Sequence, residues 1–390
     1  MRGRIDDQPP LFHVFDVEAR IRPDHPLRQI KRRVDAILDS LSTRFAQAYS
    51  RTGRPSVPPE RLLKALLLMA IYSVRSERQL CERIDTDLLF RWFLDMQPSE
   101  EVFDATTFTH NRKRLEEHGL TKNFFDAILS KAITAGLCSE HFSVDGTLIE
   151  SFASAKSFQP IVTSTPSDTD SPDPSGPAPA DGNGFKPRNA EVDFHGQKRT
   201  NATHQSRTDP EAKLYRKGLG KEAKLSHMGH ALGENRHGLI VGIVVTEASG
   251  TAERTAALNL LDQAKTTHSL KPKTLGTDTG YDDGNFLREL EARQIEPHVP
   301  LTKEPREVAT APAKDRDKVE ARQRMKSRLA SAGYQLSQKC RKKIEEGFGW
   351  LKSIAGLDRS RVVGRWKLQQ LLEIGAAAYN LVRLHKLKPA

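Results

Sequence analysis

The stretch Phe142-Ser-Val-Asp-Gly-Thr-Leu148 contains the change of pattern that decides the fold. Its apolar residues Phe142, Val144 and Leu148 point to one side and the polar residues between them to the other, as is typical of a strand. Before this stretch, apolar residues recur every three or four positions, as they do in helices. We therefore expect an N-terminal helical domain over residues 1–136, followed by a sheet-containing domain over residues 137–390.

Start signals divide the N-terminal domain into at least four short helices. Pro26 begins one helix, Pro58 and Pro59 begin the most apolar one, and Ser76 with Gln79 has the form of a capping box. Such a bundle is compatible with a helix-turn-helix DNA reader or with a dimerisation domain. We favour DNA contact.

A further helix is expected from Phe108 to His118, where Asp104 and Thr106 can cap its start. Its polar side chains form the face that would meet DNA: Thr107, Thr109, Asn111, Arg112 and Arg114. Arg112 and Arg114 are the candidate DNA-binding residues of this domain.

Residues 160–190 form an insertion rich in Pro, Ser and Asp. Residues 160–187 hold seven of the chain's 22 prolines, and residues 163–184 lack bulky side chains. Because this composition cannot bury enough apolar surface to order itself, we expect a flexible insertion inside the second domain.

Strands and helices alternate after the insertion. The expected elements are a hairpin of residues 223–232 and 239–245, helices at 251–263 and 283–293, strands at 274–278 and 295–299, a basic stretch at 303–343, and helices at 338–354 and 366–387. Paired strands followed by alternating strands and helices predict a mixed α/β sheet flanked by helices.

The net charge indicates the kind of partner. The chain has a formal charge of +11, and residues 301–390 hold 21 basic and nine acidic residues. A basic stretch of this density favours a polyanion, most often nucleic acid, over the alternative of a solvated basic surface.

The longest apolar run, residues 65–72, is too short for a membrane helix, and the first 25 residues do not resemble a secretory signal, so we expect a cytoplasmic protein. Three isolated cysteines exclude a disulfide scaffold and a zinc ribbon.

Three carboxylates are the candidates for chemistry. Asp145 lies on the polar face of the first strand, and Asp278 lies at the end of a later strand, where ligands gather in α/β sheets. Glu345 lies on a helical face between the cations Arg341 and Lys352. Taken one at a time, each Asp is more typical of a cap or turn residue, and Arg341 with Glu345 is compatible with an ordinary ion pair.

Taken together, these residues resemble a known family. Val144-Asp-Gly-Thr147, Gly276-Thr-Asp-Thr-Gly-Tyr281 and the block from Arg341 to Lys352 look like the three signature blocks of DDE transposases of the bacterial insertion-sequence-five group. The N-terminal helices and Ser206-Arg-Thr-Asp-Pro-Glu-Ala212 are also similar to that group. One departure is Gln338, which stands where the broader family has Tyr.

The resemblance implies a ribonuclease H-like fold and a two-metal phosphoryl transfer. Asp145, Asp278 and Glu345 would hold two Mg²⁺ ions, with Mn²⁺ able to substitute, and Arg341 and Lys352 would bind DNA phosphates. The enzyme would cut double-stranded DNA at transposon ends and join the 3′-hydroxyl to target DNA, as a homodimer on DNA. Two alternatives stay open: a transposase-derived protein that binds DNA without cutting it, and a nonspecific nuclease of the same fold.

Other side chains are weaker candidates. His227 and His230 are three apart in a strand and would face opposite sides, which disfavours metal binding. Trp350 is expected in the core, Trp366 could stack on a base, and Glu346, turned about 100° from Glu345 on the helix, is expected in solvent.

Overall fold

The N-terminal region is helical. The computed structural model describes residues 16–50, 52–53, 55–161, 193–194, 197–216 and 222–387, so the predicted insertion lies outside the described residues beyond position 161. The helices of this region are α1 Val17–Arg20, α2 Pro26–Ser40, α3 Ser42–Ala48, α4 Pro59–Ile71, α5 Glu77–Thr86, α6 Leu88–Phe93, α7 Thr106–Glu117 and α8 Leu120–Thr134. The predicted cap of α5 is confirmed, because the Ser76 hydroxyl accepts a hydrogen bond from the Gln79 N–H at 3.1 Å.

Helix α7 turns part of its expected DNA-binding face inward. Asn111 and Arg112 are buried on the same side as Phe108. The Tyr49 hydroxyl donates a hydrogen bond to Asn111 at 3.1 Å, and Arg112 forms an ion pair with Glu77 of α5. The prediction of one solvent-facing polar surface was wrong because positions 108, 111 and 112 follow helical spacing, and burial of polar groups is tolerated where they have partners.

The second region begins with the predicted strand. The strands are β1 His141–Glu150, β2 Phe158–Pro160, β3 Asp193–Phe194, β4 Gln197–Lys198, β5 His204–Ser206, β6 Lys213–Tyr215, β7 Lys224–Glu234, β8 Ile240–Glu247, β9 Thr274–Gly276 and β10 Glu296–His298. The main sheet has the order β10-β9-β1-β7, and β8 and β6 both pair with the outer edge of β7. Strands β1, β7 and β8 are antiparallel, whereas β9 and β10 run parallel to β1. This mixed order is that of the expected ribonuclease H-like fold.

Helices cover both faces of the sheet: α9 Ala252–His268, α10 Gly284–Ala292, α11 Arg316–Arg328, α12 Ala332–Ser353 and α13 Arg365–Lys386. Val144 of β1 shares a core with Leu260 of α9 and Leu287 of α10. Ile243 of β8 belongs to the other core, with Leu372 of α13. The second region is therefore a three-layer arrangement with the sheet in the middle.

Helix α13 joins the two regions. It is buried along nearly its whole length and packs against β8 on one side and α4 and α8 on the other. One hydrophobic core consequently contains residues of the N-terminal helices and of the sheet. Within the described ranges, no helix combines the length and apolar composition needed to cross a bilayer.

The basic stretch at 303–343, to which the sequence assigned no helix before about residue 338, is partly helical. It contains α11, and α12 begins at Ala332 instead of near residue 338. Helix α11 was missed because Ala321 and Met325 are its only fully buried side chains. Part of its charge is paired: Arg322 contacts Asp282 at 2.8 Å, and Arg324 contacts Glu291 at 2.7 Å.

Candidate active site

The strand register brings Asp145 and Asp278 to the same edge of the sheet. Strand β9 pairs with β1 only as far as Ser143 and Gly276, so each Asp lies two residues beyond the last paired position. Because the strands run parallel, the two chains leave this last pair in the same direction. Neighbouring positions in the sheet thus carry the two carboxylates.

Asp278 also organises the turn that follows β9. Its side chain accepts a hydrogen bond from the Gly280 N–H at 2.9 Å and caps the short 3₁₀ turn Thr279–Tyr281. Asp278 therefore has the turn role that the sequence left open, and it has this role at the edge of the sheet beside Asp145. A cap of this kind fixes the orientation of the carboxylate before any ligand binds.

Helix α12 supplies the third carboxylate. Glu345 is half-exposed, and its Oε1 lies 2.6 Å from Nη2 of Arg341, one turn earlier. The same helix packs against β1 and β9, and Gln338 fastens it there. The Gln338 amide donates to the carbonyl oxygens of Thr277 at 3.3 Å and His298 at 2.8 Å.

The electrostatics of Asp145 show that the three carboxylates influence one another. The pKa of Asp145 is raised to about 6: burial is the largest cause, the charges of Asp278 and Glu345 add to it, and the Gly146 N–H and Arg341 oppose it. An acid with this environment gains from a nearby cation, because the cation stabilises the ionised form. Carboxylate oxygens are also the donors that hard divalent cations prefer, so the residues fit a Mg²⁺ site by chemistry. In the part of the chain that the structure describes, no three His, Cys, Asp or Glu side chains form a ready-made metal cluster.

Lys352 and Glu346 lie on the same helix with different surroundings. The Lys352 ammonium donates to the carbonyl oxygen of Leu148 at 3.0 Å, which ties the end of α12 to β1 three residues after Asp145. Glu346 is exposed and pairs with Arg383 of α13 at 3.1 Å.

The remaining candidates lie elsewhere. Arg112 is only 8% exposed, which leaves its guanidinium little surface for a DNA phosphate, and Arg114 lies 4.5 Å over the ring of Tyr49. His227 and His230 are both buried in β7 and bond different partners, Asp209 and Thr246. Trp350 packs edge-on against Tyr379.

Glu253, which the sequence analysis missed, also lies at the site. It is in the first turn of α9, and its carboxylate approaches both Gly146 and Gly280. The available signal was the glycine near each Asp in Asp145-Gly146 and Asp278-Thr-Gly280, since such glycines mark places where another group comes close to the backbone.

Two family models match the chain. Residues 15–114 match a transposase domain, DUF772, and residues 189–381 match the transposase DDE domain. The two matches span about three quarters of the chain; Asp278 and Glu345 fall within the second, and Asp145 lies between them. The chain belongs to the DDE transposase family.

Among solved structures, two of the most similar come from the Mos1 system. A pre-cleavage Mos1 transpososome is 12% identical over 87% of this chain and 82% of that chain, with a TM-score of 0.21. A Mos1 transposase paired-end complex with the left transposon end is 13% identical over 79% and 81%, with a TM-score of 0.20. No curated protein matches this sequence.

Proposed function

We propose that this chain is the transposase of a bacterial insertion sequence of the insertion-sequence-five group. It would cut DNA at the element's ends and join the freed 3′-hydroxyl to target DNA. The observation that carries the proposal is the position of Asp145. It lies beside Asp278, which follows the end of β9, and the charge of Glu345 on α12 raises its pKa.

The same three residues would hold the metal ions. Asp145, Asp278 and Glu345 offer only oxygen donors, which suit two Mg²⁺ ions and allow Mn²⁺ to replace them. When bound, these ions activate the attacking oxygen and stabilise the leaving oxygen of the phosphodiester.

The cations of α12 would position the DNA. Arg341 holds the carboxylate of Glu345 and lies on the face that would meet a phosphate, as does Lys352 at the end of the helix. Lys339 and Lys342 are exposed on the same helix and extend its positive surface. Contacts of this kind fix the register of a duplex without reading its sequence.

The N-terminal domain, residues 1–136, would recognise or pair the transposon ends. Two ends must be held together for joining, so a homodimer on DNA follows from the reaction. The protein would act in the cytoplasm on the bacterial chromosome.

The test uses linear DNA that carries the sequences flanking the gene. The purified full chain is mixed with this DNA, Mg²⁺ and a labelled target. Cleavage at the element's ends with joining to the target supports the proposal. Binding without cleavage would favour the transposase-derived DNA-binding protein, and cleavage at many positions without joining would favour the nuclease.

A further inference from the structure

Gly146 and Gly280, the glycines that follow Asp145 and Asp278, both lie next to the side chain of Glu253. A Cβ added to Gly146 would lie 2.6 Å from Oε1 of Glu253, and a Cβ added to Gly280 would lie 3.5 Å from its Oε2. Neither glycine has a positive φ. At Gly146, space for the carboxylate of Glu253, and not backbone freedom, is therefore what the position requires, whereas at Gly280 that carboxylate would be in ordinary van der Waals contact with an added Cβ.

The carboxylate of Glu253 lies close to that of Asp278. The same point beside Gly280 that is 3.5 Å from Glu253 Oε2 is 3.1 Å from Asp278 Oδ1. Glu253 reaches this place from the first turn of α9, which packs against β1 and β7. Two separate elements, α9 and the end of β9, thus direct carboxylate oxygens to one location.

A buried hydroxyl marks the same location. Tyr281 is fully buried, and among the described residues its hydroxyl has no hydrogen-bond partner. Burial raises its pKa well above the ordinary value, and the charges of Glu253, Asp145 and Asp278 add to this effect, Glu253 most strongly. A buried hydroxyl that lacks a partner and lies in the electrostatic field of these three carboxylates favours completion of the site by a bound group, since buried polar groups are normally hydrogen-bonded.

We propose that Glu253 is a fourth carboxylate of the active site and shares a divalent cation with Asp278. The inference rests on the proposed function, because it assumes that Asp145, Asp278 and Glu345 bind metal. It assigns to Glu253 a role that the three signature blocks do not contain.

A simpler role for Glu253 would be that of an acidic residue at a helix start, where it interacts favourably with the helix dipole. The two roles predict opposite effects on the metal-free protein. A dipole-stabilising acid lowers the melting temperature when it is neutralised. A carboxylate held beside other carboxylates raises the melting temperature when it is neutralised, because repulsion is relieved.

The experiment measures Mn²⁺ affinity by the paramagnetic resonance of free Mn²⁺, and the melting temperature in EDTA, for the full chain. Glu253→Gln should weaken Mn²⁺ binding by about tenfold or more and raise the metal-free melting temperature by about 1–3 °C. Gly146→Ala should also weaken binding, since the added methyl must displace the flexible carboxylate while the fold is kept. Glu60→Gln, in the first turn of α4, is the matched control and should leave Mn²⁺ affinity unchanged.

The outcomes separate this inference from the proposed function. Mn²⁺ binding that Asp145→Asn removes but Glu253→Gln leaves unchanged would overturn the role of Glu253 alone, as would a lower melting temperature for Glu253→Gln. If the wild-type chain binds no Mn²⁺, the metal site of the proposed function fails and the inference fails with it.

Discussion

Arg341 and Glu345 form an ion pair across one turn of α12, with Nη2 and Oε1 2.6 Å apart. Because Glu345 is 49% exposed, water screens the pair, and its contribution to folding is about 0.3–0.5 kcal/mol. The main effect of the pair is to position Glu345, because Arg341 restrains the carboxylate whose charge raises the pKa of Asp145.

Arg341→Gln should therefore separate stability from activity. We expect a change in unfolding free energy of less than about 0.5 kcal/mol and a loss of DNA cleavage of about 100-fold, because small misplacements in an active site are costly. Lys113→Gln removes another exposed i,i+4 pair, with Glu117 of α7, and should leave cleavage unchanged. Equal cleavage by the Arg341 variant and wild type would contradict the positional role.

Gln338 should be a stabilising contact between α12 and the sheet. Gln338→Ala removes two hydrogen bonds to the carbonyls of Thr277 and His298, and we expect a loss of about 1–2 kcal/mol in urea unfolding. Gln335→Ala, at an exposed position one turn earlier, should cost less than about 0.5 kcal/mol. Equal losses for both variants would show that the Gln338 amide does not fasten the helix. A tyrosine at this position has a single hydroxyl donor and could not bond both carbonyls.

Asp209 should make stability depend on acid pH. It is buried and accepts hydrogen bonds from Ser151 at 2.7 Å and His227 at 2.9 Å. Burial acts to raise the pKa of Asp209, but these hydrogen bonds outweigh it, and the pKa is lowered. An acid with a lowered folded pKa stabilises the protein above its unfolded pKa of about 3.9, and this stabilisation is lost as the pH falls through the folded value.

Asp209→Asn should consequently cost about 1.5–3 kcal/mol at pH 7 in urea unfolding. The difference from wild type should narrow as the pH falls below about 4. A difference that stays constant down to pH 3 would show that the charge of Asp209 contributes nothing.

DNA affinity should depend on salt through α12. If Lys339 and Lys342 each contact a phosphate, replacing both by Ala should reduce the slope of log K against log salt by about 0.9 per residue. Lys271→Ala is the control, since this lysine is exposed just before β9, at the opposite end of the strand from Asp278. Wild-type binding that is flat between low and moderate salt would contradict a phosphate-binding surface.

Much of the fold could be predicted from local pattern. The alternation in Phe142–Leu148 predicted β1, and the Ser76 cap predicted the start of α5, because both signals arise from neighbouring residues. Helix α11 could not be predicted this way. Its buried face consists of Ala321 and Met325 alone, and its partners Asp282 and Glu291 are distant in sequence.

In the candidate site, too, the sequence predicted what local motifs mark and missed what depends on residues distant in the chain. Asp145, Asp278 and Glu345 were proposed from their distinctive motifs, and in the structure the charges of Asp278 and Glu345 raise the pKa of Asp145. Arg112 was assigned to a solvent-facing surface although it follows Phe108 by four residues, and the sequence did not show that Glu77 of another helix pairs with it there. Glu253 was missed because nothing beside it in sequence marks it, and only the packing of α9 brings it to Gly146 and Gly280.

Two adjacent glutamates of α12, Glu345 and Glu346, have the same chemistry but different surroundings. Glu345 pairs with Arg341 and influences Asp145, whereas Glu346 is exposed and pairs with Arg383. The measurement is cleavage of DNA carrying the element's ends in Mg²⁺, with DNA binding measured in parallel. Glu345→Gln should abolish cleavage and keep DNA binding, as should Asp145→Asn and Asp278→Asn, because residues that act as one unit fail together. Glu346→Gln should cut nearly as well as wild type. An inactive Glu346→Gln beside an active Glu345→Gln would contradict the assignment of the third carboxylate and the account built on it.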